Sequence, residues 1–476
     1  MKRLNKLLTA LVVLSVAVFP SCATVTQQGG TEIDKLVYKP INTELPKTKR
    51  VKLSNGMVVR LLPDHELPLF NVHAIIGVGS RWEPAQKTGL ASITGATIRS
   101  GGTMTRPPDE LDETLEHLAA SVETSIGSEY GTASLSVLSR DIDIGLELFA
   151  DVLRNPRFEK SRFELARSQA LDGIRKKNDN PTSIASRELN KIVYKGTPYG
   201  REATVETVKS ITREDAIAFH KKYFVPQNIM LGVTGDFNEK EILAKLEDTF
   251  KGFSGPDPDF PKVKKAQKDE KGGVYLAKKD ILQSVIRMGH LSIKRTNPDY
   301  YAMRVMNSIL GGSGFSSRLV RKVRTDHGLA YSVWSYHFGG RMEFGNYILG
   351  TETKSASTAQ AIGLILDEAR RIRDEKVTEE ELNLAKDTIV NSFIFIFDSP
   401  NRIMDQLMTV DYYDYPEGYL ENYRDNIIAV TVDDVQRVAR QYLKPDQLKI
   451  VVVGDPAKFD RSLEEFGPVE LIELRD

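Results

Sequence analysis

A chain of 476 residues exceeds what one hydrophobic core supports, so two or more domains are expected. Its 41% hydrophobic and 27% charged residues are those of an ordinary globular protein, and 65 basic residues balance 65 acidic ones. That balance favours neither nucleic acid nor an anionic surface as partner, and a single cysteine excludes any disulfide within the chain.

At the N-terminus Lys2, Arg3 and Lys6 lead into an apolar run from Leu7 to Phe19 and then Pro20-Ser21-Cys22. This is the pattern of a secretory signal over residues 1–22, too short for a stable membrane span. Cys22 stands where a bacterial lipoprotein signal places its lipidated cysteine, although Phe19 and Pro20 depart from the small and leucine-rich residues usual there. Lipidation would anchor the chain to a membrane through its N-terminus; Ala23 in place of Asp then points to the periplasm and the outer membrane. The alternative is a signal cut elsewhere, with Cys22 incidental. Residues 23–47 are polar and suit a tether.

From there the first unit, residues 48–252, reads as α+β. Val51 to Leu62 alternates around Asn55-Gly56 as a hairpin, and Phe70 to Val78 is a buried strand. Helices are predicted from about Gly89 to Arg99 and from Asp109 to Ala120, then two strands between Ser121 and Leu138. Long helices follow over 141–155 and 159–178, and the unit closes with a helix ending near Tyr223 and a strand from Asn228 to Thr234. Strands that do not alternate singly with helices argue against a doubly wound parallel sheet.

An exposed linker is predicted at 253–271, from Pro256, Pro258, Pro261 and a run of alternating charge. Beyond it the chain repeats itself. Ile211-Thr212-Arg213-Glu214-Asp215, Tyr223, Pro226 and Gly235-Asp236 recur as Val430-Thr431-Val432-Asp433-Asp434, Tyr442, Pro445 and Gly454-Asp455, each pair 219 positions apart. The same offset relates Phe158 to Val377 and Phe163 to Leu382. The second unit, 272–476, is therefore a copy of the first: two duplicated units of mixed, mostly antiparallel sheet packed with helices.

Within the second unit, Leu319, Val320 and Val323 have helical spacing, His327-Gly328 reads as a helix stop, and Tyr331-Ser332-Val333-Trp334 restarts as strand. Arg324 and Tyr331 flank that corner, and a guanidinium and a phenol hydroxyl aimed at one point suit a carbonyl oxygen gaining negative charge. The bland alternative is a surface charge beside a core aromatic. Gly311-Gly312-Ser313-Gly314, just upstream, lacks the Gly-Lys-Ser/Thr of a phosphate loop and reads first as a helix-to-helix turn. Aromatics from Phe393 to Tyr423 are read as core packing of a helical layer, with a chamber lining as the alternative.

Gly79-Ser80-Arg81-Trp82-Glu83 leading to Gly89-Leu90-Ala91, the duplicated Gly-Asp strand ends and the Arg324–Tyr331 corner together resemble the pitrilysin/insulinase family of inverted-motif zinc peptidases, which includes the mitochondrial processing peptidases. The resemblance covers nearly everything after the tether. It implies that the two units form half of a clam-shell chamber. In active members the helix beginning Gly-Leu-Ala carries His-x-x-Glu-His, two zinc-binding histidines on one face and a Glu that activates water. Here Ser92 and Ala96 occupy the ligand positions and Gly95 that of the base, and the family's third-ligand position falls on Gly173. Asp172 is one residue out of register, about 100° around a helix. Ala and Gly cannot bind zinc, so no metal is expected in this chain. None of its seven histidines, His117 included, has a partner histidine at three- or four-residue spacing.

The resemblance further implies a division of labour. In some members one subunit holds zinc and the other supplies an Arg and a Tyr that reach the bound peptide. Arg324 and Tyr331 match those positions, and Gly311, Gly312 and Gly314 resemble in place, though not in length, a glycine-rich loop that contacts substrate. The expectation is a subunit without zinc, paired with a homologous zinc-bearing one and acting on peptides. A stand-alone inactive peptide-binding or scaffolding protein is the alternative.

Overall fold

The computed structural model describes residues 45–474. The signal segment, Cys22 and the start of the tether lie outside the described residues. Among the described residues twelve strands form two open six-stranded sheets. The first contains β1 (Lys49–Lys52), β2 (Val58–Pro63), β3 (Leu69–Ile76), β4 (Ser121–Ile126), β5 (Gly131–Leu138) and β6 (Ile229–Gly235). The second contains β7 (Gly273–Lys278), β8 (Gln283–Leu291), β9 (Ala330–His337), β10 (Asn346–Lys354), β11 (Lys449–Gly454) and β12 (Val469–Leu471).

The strand orders are β1-β2-β6-β3-β5-β4 and β12-β7-β11-β8-β10-β9. After the outermost strand the two orders match position for position, with one parallel pair, β2–β6 or β7–β11, followed by antiparallel neighbours. β4 and β9 are the corresponding edges.

Five helices bear on the site: α1 (Leu90–Ser100), α2 (Lys160–Arg175), α3 (Pro181–Val193), α4 (Glu379–Phe393) and α5 (Pro400–Tyr412). Each sheet has its own apolar core, one around Phe70, Phe149 and Phe163, the other around Met288, Met303 and Tyr347. Two helices cross between the units. Ile184, Ala185 and Leu189 of α3 pack on Val285, Val451 and Val453 of the second sheet. Met404 and Met408 of α5 pack on Leu62 and Ile75 of the first. Pro181 and Pro400 open the two helices 219 positions apart, each preceded by a capping side chain, Asn180 or Ser399. Each unit therefore lends the other a helix, and the exchange is fastened by the Arg60–Asp411 fork at 2.6 and 2.8 Å. Gly232 of β6 admits it, since a Cβ there would lie 2.4 Å from Met404 Cγ.

The segment predicted as an exposed linker has no helix or strand, but it is pinned. Phe260 stacks on Tyr223 and tilts against Trp82, Ala266 is buried, and its N–H donates to Glu343 at 3.1 Å. Proline and charge register a lack of regular structure; they do not register the apolar side chains that hold the strap down.

Candidate functional site

α1 begins at Gly89, whose φ of +108° favours glycine. The Glu83 carboxylate accepts the N–H groups of Gly89 and Ala91 at 3.0 and 2.9 Å, serving as the cap of this N-terminus. Burial raises the Glu83 pKa, against the pull of those same N–H groups and of Arg201. Ser92 and Ala96 lie exposed on one face, one turn apart. Gly95 between them is buried against β4: a Cβ there would lie 2.5 Å from the Ile126 backbone N and 2.9 Å from the Ser125 backbone C. Gly173 sits on α2 in open space, and Asp172 is exposed and paired with Arg175 at 2.8 Å. Ser92, Gly95, Ala96 and Gly173 do not fit a zinc ion: together they offer one hydroxyl and no imidazole or carboxylate. Among the described residues no group of three or more His, Cys, Asp or Glu is placed to hold a metal. His117 is exposed at a helix end.

The Arg324–Tyr331 corner is organised differently. Residues Val320–Asp326 wind as a π-helix where apolar spacing predicts α, and a π-turn re-aims the side chains it carries. It stops as predicted: Gly328 has φ +64°, its N–H donates to Arg324 O, and the Leu329 N–H donates to Val323 O, each at 3.0 Å. These two bonds close the π-wound end, each spanning one residue more than in the usual glycine stop of an α-helix. The turn is held from behind by Arg318, only 5% exposed, whose guanidinium grips the Glu381 carboxylate of α4 through two 2.7 Å bonds. Burial works against ionisation of Glu381, but Arg318 and the Thr378 N–H outweigh it and lower the pKa.

Arg324 projects into a cleft of about 520 Å³. Its guanidinium lies 4.7 Å from the ring centres of both Phe315 and Tyr331, which are 77% and 84% exposed. It makes no ion pair with any carboxylate among the described residues. Gly311, Gly312 and Gly314 line the same cleft. Their segment connects helices, as first read, but with π and 3-10 turns. Gly311 is required by close approach, since a Cβ there would fall 2.4 Å from the Ser335 N of β9. The fold thus gathers Arg324, Tyr331 and the three glycines at one place, on the edge strand β9. Sequence reasoning missed Phe315 and Arg304; an aromatic isolated in a Gly/Ser loop was the available signal for the first.

The aromatics from Phe393 to Tyr423 divide. Phe393 and Tyr423 stack in the core with ring centres 4.4 Å apart, whereas Tyr412 and Tyr413 turn to the first unit, donating to Glu129 O and Glu129 Oε2 at 2.8 and 2.7 Å.

A helix without zinc ligands and an Arg–Tyr corner thus share one duplicated α+β frame. A family model described as "Insulinase (Peptidase family M16)" matches residues 64–206, and one described as "Peptidase M16 inactive domain" matches residues 210–389. The chain belongs to this family, the pitrilysin/insulinase peptidases. It is similar to an uncharacterised zinc protease of Mycobacterium leprae, 26% identical over 405 residues, covering 83% of this chain and 89% of that protein. The crystal structure of a peptidase M16 inactive domain from Pseudomonas fluorescens superposes with a TM-score of 0.78 at 25% identity, covering 86% of this chain and 98% of that one. A protease from Helicobacter pylori shares the fold, with a TM-score of 0.77 at 21% identity over 86% of this chain and all of its own.

Proposed function

We propose that this chain is the non-zinc-binding subunit of a heteromeric zinc metallopeptidase, secreted by a bacterium and held at the outer membrane by lipid on Cys22. In this reading a homologous partner carries the metal, and each chain supplies half of the chamber. The contribution of this chain is a pair of donors. The observation that carries the reading is Arg324, set between two exposed rings and without a carboxylate partner among the described residues, beside the phenol of Tyr331. A cation left uncompensated in a cleft, with a neutral donor next to it, favours an oxygen that becomes anionic over one that stays neutral. Gly311, Gly312 and Gly314 would let a peptide backbone come close to both donors.

The test is co-purification of the tagged chain from its own cells. A zinc-bearing homologue that comes with it, and peptide hydrolysis that appears only when the two are combined, are expected. Recovery of the chain as a monomer or homodimer that binds peptides and recruits no peptidase would overturn the reading in favour of a scaffolding role.

A further inference from the structure

A second cavity, of about 670 Å³, adjoins the Arg324 cleft and shares two of its walls, Arg304 and Tyr336. Arg295, Arg304 and Arg341 are among its lining residues, and none of the three makes an ion pair with a carboxylate among the described residues. Their companions are tyrosines: Arg295 lies 5.5 Å from the ring of Tyr300, Arg341 lies 5.0 Å from that of Tyr413, and Arg304 bonds to Tyr423. The Nε atoms of Arg295 and Arg304 are buried and have no hydrogen-bond partner. His337, 2% exposed and part of the same wall, has neither ring nitrogen hydrogen-bonded.

The carboxylates of the wall do not answer these cations. Glu129 accepts from the Tyr199 and Tyr413 hydroxyls, each at 2.7 Å. Glu343 accepts the N–H groups of Phe344 and Ala266 at 2.9 and 3.1 Å. Arg201 also lines the cavity and donates to Glu83 O at 3.1 Å. Burial, then Arg304 and Arg295, push His337 down to about 3, so near neutral pH its ring is an uncharged donor and acceptor. Largely buried guanidinium groups without an ion-pair partner or full hydrogen bonding are costly, and an arriving anion relieves that cost.

We propose that this cavity binds the C-terminal carboxylate of a peptide. Guanidinium forks match carboxylate geometry, and the two wall glutamates oppose a dianion such as phosphate more than a singly charged carboxylate. Phe338, Phe344 and Tyr336 offer apolar surface for the last side chain. β9 is eight residues long and carries Tyr331 near its start and His337 at its end, so about 20 Å of strand joins the two sites. A peptide anchored by its carboxylate at Arg304 would pass Arg324 and Tyr331 several residues upstream of its end. The identification of the ligand as a peptide rests on the proposed function; the anion site rests on its own geometry.

The experiment is equilibrium binding of an N-acetylated decapeptide ending in leucine to the purified full chain, as the free acid and as the C-terminal amide. The free acid is expected to bind about tenfold more tightly or better, the effect of losing one charge-assisted contact. That preference should collapse in both Arg304→Gln and Arg341→Gln. Equal binding of the two peptides, no measurable binding of the free acid, or a preference that survives both substitutions overturns the proposal. So does displacement of the acid by inorganic phosphate at concentrations where acetate has no effect. Arg324→Ala separates the two readings: it should weaken both peptides while leaving their ratio intact. If the ratio stands and Arg324→Ala changes nothing, the cleft has been misread and the carboxylate pocket has not.

Discussion

Gly95 and Gly173 stand at the positions that the family resemblance assigns to the general base and the third zinc ligand, and the same substitution at each should have opposite effects. At Gly95 a new methyl would meet the Ile126 N at 2.5 Å, the Ser125 C at 2.9 Å and the Ile126 Cγ1 at 3.0 Å. Two of these atoms are backbone of β4, tied to β5 through the Ser125–Thr132 and Ile126–Gly131 pairs, so they cannot step aside cheaply. Overpacking of this kind costs about 1–3 kcal/mol, and a backbone clash belongs at the upper end. Alanine recovers about 0.5–1 kcal/mol of helix propensity, leaving Gly95→Ala destabilised by about 2 kcal/mol. At Gly173 nothing lies within 4 Å, so Gly173→Ala keeps only the gain. Urea unfolding followed by the fluorescence of Trp82 and Trp334, one in each unit, measures both. A Gly95→Ala midpoint equal to or above that of Gly173→Ala would refute the packing argument. The consequence reaches the site: rebuilding His-x-x-Glu-His by Ser92→His, Gly95→Glu and Ala96→His must displace β4 before it can hold a metal.

In the reconstituted complex, Arg324→Ala or Tyr331→Phe should lower turnover about a hundredfold, while the exposure of Tyr331 keeps the stability change within about 0.5 kcal/mol; full activity of both variants would remove the catalytic role. Arg318→Ala strands the Glu381 carboxylate and should cost about 3 kcal/mol, read as a lower urea midpoint; a change under about 1 kcal/mol would show that the fork does not hold the π-turn. His220, His290 and His337 are buried, and burial first of all lowers their pKa values from 6.5 to about 4, 4 and 3. His290 shows the neutral form directly, its Nδ1 against Leu291 O and its Nε2 accepting the Lys444 N–H. The unfolded chain takes up these protons near pH 6.5 and the folded chain does not. Their stabilisation is therefore complete above pH 6.5 and lost as pH falls toward the folded values, by up to about 1.4 kcal/mol per pH unit per histidine. A urea midpoint unchanged between about pH 7 and pH 5 would contradict this.

Much of the frame was legible. The edges of α1 and of β3 to β6 fall within a few residues of where periodicity places them, because those segments are amphipathic in their own right and set their own boundaries. The stop at Gly328 followed from a residue type that adopts a positive φ at no steric cost. Elsewhere local pattern misled. The turn carrying Arg324 is π-wound, a choice made by its packing against α4 and β9 and invisible to apolar spacing. α3 escaped notice because its apolar face is completed by strands of the other unit, some hundred residues or more away in the chain.

The sequence by itself determined which side chains stand at the positions the family resemblance assigns to zinc binding: a missing side chain is missing in any fold, and Ser92, Gly95, Ala96 and Gly173 bring one hydroxyl among them. It also determined the duplication, since one offset of 219 is a property of order along the chain. Tertiary structure alone decided what lies together. That Phe315 faces Tyr331 across Arg324, that each unit lends the other a helix, and that Arg295, Arg304 and Arg341 share a cavity without an ion-pair partner among the described residues are matters of distance in space, not of order along the chain. Such distances are set by how two cores pack, and no local pattern of residues encodes them.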